Sequence, residues 1–132
     1  MKKKYITQVE ELEVYNRLRL LAIIIIKKVI PKLPKEEKYD LADQMRRASK
    51  AATAILAEGF AKRYQKKHWD KYIIDVLGEC EEMLDHLKYV QDLYGELINK
   101  KSVQRLIDEY QYAINQLHLL SKSWRNYHAK KL

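Results

Sequence analysis

From Leu33 to Arg63 the chain reads LPKEEKYDLADQMRRASKAATAILAEGFAKR, and between Pro34 and Gly59 nothing in it breaks a helix. Leu41, Met45, Ala48, Ala52, Ile55 and Gly59 recur at the three- and four-residue spacing of one helical face. That face is narrow and built mostly of small side chains. A helix with Ala and Gly on its inner side can approach a neighbour at the short end of the ~8–10 Å interaxial range, so it belongs at the centre of a bundle. Basic residues fill much of the rest: Arg46 and Lys50 stand opposite the apolar stripe, and Arg47 lies on its flank. One helix both packs and displays charge.

The rest of the chain repeats this pattern. With 3 Gly and 2 Pro in 132 residues, there is little material for turns, and the expected class is all-α. A first helix over about 7–30 carries Val14, Leu18, Leu21, Ile25 and Val29 on one stripe; the run Ile23–Ile26 would also suit a strand, but length and flanking spacing decide for helix. Pro31 ends it. Pro34 fits a first helical turn, with Glu36 and Glu37 favourable near the N-terminal dipole, so the second helix spans about 35–63. The short polar link 64–68, YQKKH, predicts an antiparallel hairpin into a third helix over about 69–94. Its inner face includes Ile73, Val76, Cys80, Met83, Leu87 and Val90, and Gly95 and Asn99 mark its end. Ser102 is the expected N-cap of a fourth helix over about 102–127, with Val103, Leu106, Tyr110, Ala113, Leu117 and Trp124 on its stripe. The ending YHAKKL is expected to fray. These four helices predict an up-down-up-down antiparallel four-helix bundle, with residues 1–132 forming one domain.

Several function classes drop away. The longest apolar run, Leu20–Ile26, is far shorter than the ~18 residues of a membrane span, and the start MKKK is not followed by an apolar signal core. A single cysteine, Cys80, in an apolar stripe reads as a reduced, buried thiol of a cytoplasmic protein. Di-iron bundles use Glu-x-x-His pairs, but the residues three before His68, His86, His118 and His128 are Gln65, Met83, Asn115 and Arg125. Glu82 and His86 share a helical edge, a spacing that more often gives a surface contact than a metal site. No phosphate-binding glycine loop, nucleophile elbow or histidine-paired cysteine is present. The expectation is a non-enzymatic protein without metal or cofactor.

Charge is the more informative signal. The chain carries +8 overall, and residues 1–35, 36–74, 75–98 and 99–132 carry +6, +3, −6 and +5. Such a molecule can attract a polyanion while its acidic helix pairs with basic surfaces, although a solubilising charge coat has the same signature. Lys62, Arg63, Lys66, Lys67 and Lys71 crowd the predicted hairpin tip beside Tyr64, His68 and Trp69; with Arg46 and Lys50 they are the candidate phosphate contacts. The alternative is an exposed loop kept soluble by lysines, with Trp69 simply starting the core. Gly78 falls on the outward side of the third helix with Lys71, Asp75, Glu82 and Asp85, where a mid-helix glycine costs about 1 kcal/mol relative to Ala. Close packing of another subunit would explain it, with Glu82 meeting Arg47. In an antiparallel hairpin Arg47 and Glu82 also lie at one level of one chain, so pairing within or between chains stays open.

The order LPKEE, QMRRAS, Ala57-Glu58-Gly59 and Gly78-Glu79-Cys80-Glu81-Glu82 resembles the small four-helix-bundle proteins encoded in 23S rRNA intervening sequences, over about Leu12–Leu120. That family usually has Asn-Ile-Ala-Glu-Gly where this chain has Ile55–Gly59, and Gly-Ser where it has Gly78-Glu79. The ending LLSKSWRNYHAKK and the basic balance are similar to a sister group, the accessory variability determinant (Avd) of diversity-generating retroelements. The resemblance implies a homo-oligomer, a pentameric ring, that binds RNA or DNA and a reverse transcriptase, with Arg47, Gly78 and Glu82 at the subunit interface. Repetition around a ring would multiply each basic patch by avidity. The alternative it implies is an intervening-sequence-type scaffold that binds a protein partner.

Overall fold

In the computed structural model, which describes residues 6–131, the four helices follow one another around a shared core as an antiparallel four-helix bundle. Helix α1 comprises Glu13–Ile24; α2, Leu41–Ala61; α3, Lys66–Tyr94; and α4, Lys100–Lys131. Leu18, Ile25, Met45, Leu56, Trp69, Ile73, Met83, Leu87, Tyr110 and Leu117 are among the side chains most completely withdrawn from water. Leu56 takes the inward place that the sequence pattern gives to Ile55, which is half-buried at the edge of the stripe.

The helix ends depart from the sequence pattern for local reasons. After Ile24 the backbone widens into one π-helical turn, Ile25–Val29, and then tightens into a 3-10 turn, Ile30–Lys32. Pro31 has no N–H to give and its ring crowds the carbonyl four residues earlier, so the α-helical ladder fails before it. The stretch after Pro34 forms only a 3-10 turn, Lys35–Glu37, and regular helix resumes at Leu41. Glu37 is tied there by tertiary contacts: one carboxylate oxygen accepts from the Tyr94 hydroxyl and the other from the Leu41 N–H at 3.4 Å. At the start of α4 the cap is Asn99, not Ser102. Its Oδ1 accepts from the N–H groups of Lys101 at 2.9 Å and Ser102 at 3.3 Å, so the helix begins earlier than Ser102 would allow. The basic ending is helical as far as it is described: α4 continues through Lys131, with Trp124, Tyr127 and His128 packed there as one aromatic group, and Leu132 lies outside the described residues.

The seams between helices differ. At Gly59 a Cβ would stand 2.5 Å from the Cβ of Tyr72, a distance only hydrogen permits, so α2 and α3 meet closely here. Between α1 and α4 the packing instead leaves a cleft of about 760 Å³, with Leu20, Leu21, Ile24, Val103 and Leu106 among its apolar lining. Arg17 bridges one end of the cleft. Its guanidinium pairs with Glu109 and, at 3.4 Å, with Glu13; its Nε donates to Gln116 at 3.0 Å, and it lies 4.3 Å from the Tyr112 ring centroid.

Candidate nucleic-acid interface

Helix α3 begins at Lys66, so the connection between α2 and α3 is shorter than the link read from YQKKH, and Lys66, Lys67 and His68 form the first helical turn. None of these residues is a Gly or Pro that would break a helix, and the docking of Trp69 in the core fixes the chain on that path. The first turn has no acidic residue. Lysines at this position oppose the helix dipole, whose positive end favours anions, so this terminus is both electropositive and incompletely compensated. Lys66, Lys67 and Lys71 are exposed and make no hydrogen bond or ion pair among the described residues.

Two members of the predicted cluster are engaged. Lys62 donates to the Tyr72 hydroxyl at 3.0 Å and lies 3.4 Å from Glu58, while the Tyr72 hydroxyl donates to Glu58 at 2.9 Å. Hydrogen bonds from Tyr72 and Lys62 hold the Glu58 carboxyl below its ordinary range, and those with Tyr72 and Glu58 hold Lys62 above its own. Arg63 is the second. It is only 9% exposed: Nη1 donates to the Phe60 carbonyl at 2.8 Å, Nη2 donates to the Tyr64 hydroxyl at 3.1 Å, and the guanidinium stacks 4.0 Å from Phe60 and 4.5 Å from Tyr64. Its planar fork closes the end of α2.

The aromatic residues also divide. Trp69 is fully buried and serves the core. Tyr64 is 63% exposed and sits edge-on to Trp124 with ring centroids 5.9 Å apart. Trp124 also lies 5.5 Å from Trp69 and 4.9 Å from Tyr127, centroid to centroid. The C-terminal part of α4 thus reaches the hairpin tip and brings exposed Lys122, Arg125 and Lys130 to this end of the bundle. Trp124 was the sequence signal for that meeting, since an aromatic residue ending an apolar stripe seeks an aromatic partner at the same level.

Arg46 and Lys50 are exposed on α2, but at 1.5 Å per residue they lie about 18 Å or more along the axis from Lys62, so they form a separate patch. Arg47 pairs with Asp43 on its own helix at 3.1 Å, and Glu82 lies 3.5 Å from His86, so the two do not pair within the chain. Gly78 faces open space, with nothing within 4 Å of where its Cβ would stand. Burial raises the Cys80 thiol to about 12, the character of an inert core cysteine. Among the described residues, no three His, Cys, Asp or Glu side chains converge as a metal site, and no helix is long and apolar enough to cross a membrane.

The family described as 23S rRNA-intervening sequence protein matches residues 10–119, the whole bundle except the last turns of α4. The chain belongs to that family. As an intervening-sequence protein it carries the helices and connections described above within the matched region, while Trp124, Tyr127 and His128 lie beyond it. No curated protein and no solved structure gives a significant match.

Proposed function

We propose that this intervening-sequence protein is a non-enzymatic, self-associating bundle that binds RNA or DNA through phosphate contacts at the α2–α3 tip, as an accessory subunit of a reverse transcriptase. The observation that carries the reading is the exposed run Lys66, Lys67 and Lys71 at the start of α3, whose side chains make no hydrogen bond or ion pair among the described residues, beside exposed Tyr64. Lysines there weaken the helix by opposing its dipole, a cost that a bound phosphate reverses. Lys62 remains exposed enough to join them, and Arg46 and Lys50 form a second contact along α2. Arg63 supports the tip from within. Tyr64 offers a ring face for an unpaired base, which favours single-stranded or looped nucleic acid. The reverse-transcriptase association rests on the resemblance of the basic ending to the Avd group and assigns that partner to a cytoplasmic assembly. A second reading, equally compatible with the family match, is an intervening-sequence-type scaffold that binds a protein partner, with nucleic acid touched incidentally.

Binding of structured RNA and single-stranded DNA, followed across a salt series, tests the tip. Replacing Lys66, Lys67 and Lys71 with Glu is expected to flatten the logarithmic salt slope by about 2, since each lost phosphate contact on a single strand removes about 0.7. An unchanged slope in that variant, with loss instead on changing Arg46 and Lys50, moves the site to the middle of α2. Absence of binding by the wild type at low salt overturns the nucleic-acid reading and leaves the scaffold. Co-purification with a reverse transcriptase encoded nearby, maintained after nuclease treatment, tests the partner.

A further inference from the structure

The cleft between α1 and α4 is bridged at one end and basic at the other. At the bridged end the Arg17 guanidinium crosses from α1 to Glu109 of α4 and also pairs with Glu13, so its charge is balanced by carboxylates and the passage between the helices is spanned. Away from the bridge the floor is apolar: Leu20, Leu21 and Ile24 of α1 face Val103 and Leu106 of α4, and Leu20 is left 58% exposed. At the other end Lys28 and Lys32 line the cleft together with Asn99 and Ser102 from the start of α4. Both lysines are exposed, as is Arg105 on the α4 rim, and none of the three makes a hydrogen bond or ion pair among the described residues. The wall that carries Lys28 and Val29 is a single π-helical turn, Ile25–Val29, a departure from α-helix that is frequent at functional sites. The volume of about 760 Å³ falls within the ~300–1,000 Å³ of small-molecule sites, and an apolar lining with a few polar groups is their usual chemistry.

We propose that this cleft binds a free single-chain amphiphile with an anionic head, of the fatty-acid class. The acyl chain lies on the floor at Leu20, Ile24 and Leu106, and the carboxylate faces Lys28 and Lys32, with Arg105 adding positive charge along the rim. Charge sets the direction of the ligand. The Arg17 end already holds the carboxylates of Glu13 and Glu109 and repels another, whereas Lys28 and Lys32 have no anion of their own. The bridge sets the class. A partner helix, about 10 Å across, needs a groove open at both ends, while a single polymethylene chain needs only one opening. Length sets the size. From Leu20 to Val29 the floor runs about 14 Å at 1.5 Å per residue. Zigzag C–C bonds of about 1.5 Å advance about 1.3 Å each, so a chain of about twelve carbons fills it.

Isothermal titration calorimetry with dodecanoate, kept below its micelle concentration, tests the site. Affinity should rise from octanoate to dodecanoate by up to about fourfold per methylene, the worth of a fully buried CH₂, and level off beyond about twelve carbons. Dodecyltrimethylammonium, with the same chain and the opposite charge, should bind at least about tenfold more weakly. Inorganic phosphate should not displace dodecanoate. Leu20→Glu, which puts a carboxylate on the floor, and K28E/K32E, which reverses the charge at the opening, should each weaken binding by about tenfold or more. Leu119→Glu, at a leucine 68% exposed outside the cleft, should leave it unchanged. All these variants alter exposed residues and should keep wild-type helicity by circular dichroism. Absence of binding by the wild type, equal binding of the two heads, displacement by phosphate, or binding untouched by both cleft variants each overturns the proposal. Affinity that falls as protein concentration rises shows the cleft closed by a second copy and overturns it too. Binding to phosphatidylglycerol vesicles without binding to dodecanoate assigns the lysines to a membrane surface, which likewise overturns the free-ligand site. None of these outcomes bears on the salt series at the α2–α3 tip.

Discussion

The α2–α3 seam and the α1–α4 seam are made by the same kind of amphipathic helix, yet one is closed and the other is open. At the first, Gly59 lies so close to Tyr72 that even a methyl group has no place. At the second, larger side chains such as Leu20 and Ile24 line a cleft instead of filling it. Small inner residues allow axes to approach, whereas bulky ones hold them apart, and the gap is then closed only if the facing helix supplies matching volume. The closed seam makes a rigid hairpin that presents the lysine tip. The open seam leaves an apolar-floored cleft at the surface.

The largest expected effect comes from breaking the closed seam. Gly59→Ala should destabilise the fold by about 1–3 kcal/mol, because the clash is with the Cβ of Tyr72, which cannot swing aside. Chemical denaturation with an unchanged m-value would register it; a neutral result would mean that α2 and α3 are less closely packed than described. Gly78→Ala, on the open face of α3, should act in the opposite direction and stabilise dilute protein by about 1 kcal/mol, through helix propensity alone. The Glu79→Gln substitution should raise the melting temperature at neutral pH. With its folded-state pKa above the ordinary 4.5, the ionised carboxylate disfavours the folded state there. The sign follows: the penalty is present above the folded-state pKa and disappears as pH falls below the unfolded value. The gain from Gln should shrink on acidification, and a gain independent of pH would assign it to another cause. The smallest effect is expected at the open seam, where Leu20→Ser should change the stability of dilute protein by no more than about 0.5 kcal/mol.

Most of the candidate site was written in the sequence as a charge pattern, but its membership was not. Lys66, Lys67 and Lys71 stand exposed as their spacing implied, whereas Arg63, beside them in sequence, turns inward onto Phe60 and Tyr64. A helix end leaves carbonyls without partners, and an arginine positioned there can satisfy one while stacking on nearby rings, an option invisible to a count of charges. Lys62 is likewise held by Tyr72 and Glu58, which lie on two different helices. The Arg47–Glu82 pairing left open by the hairpin reading is not made within the chain; Arg47 turns to Asp43.

The sequence by itself determined that the chain is helical, where the apolar stripe of each helix runs and which segments carry which sign of charge. Those properties follow from local spacing and from the scarcity of Gly and Pro, and no partner is needed to define them. The tertiary structure decided that Asn99 caps α4, that Trp124 carries the end of α4 to the hairpin tip, that Arg63 is buried and that α1 and α4 stand apart. Each of those outcomes depends on the distance between two helices. That distance is set by the volumes of side chains meeting across the interface, and the periodicity of one helix records its own face but not the face opposite.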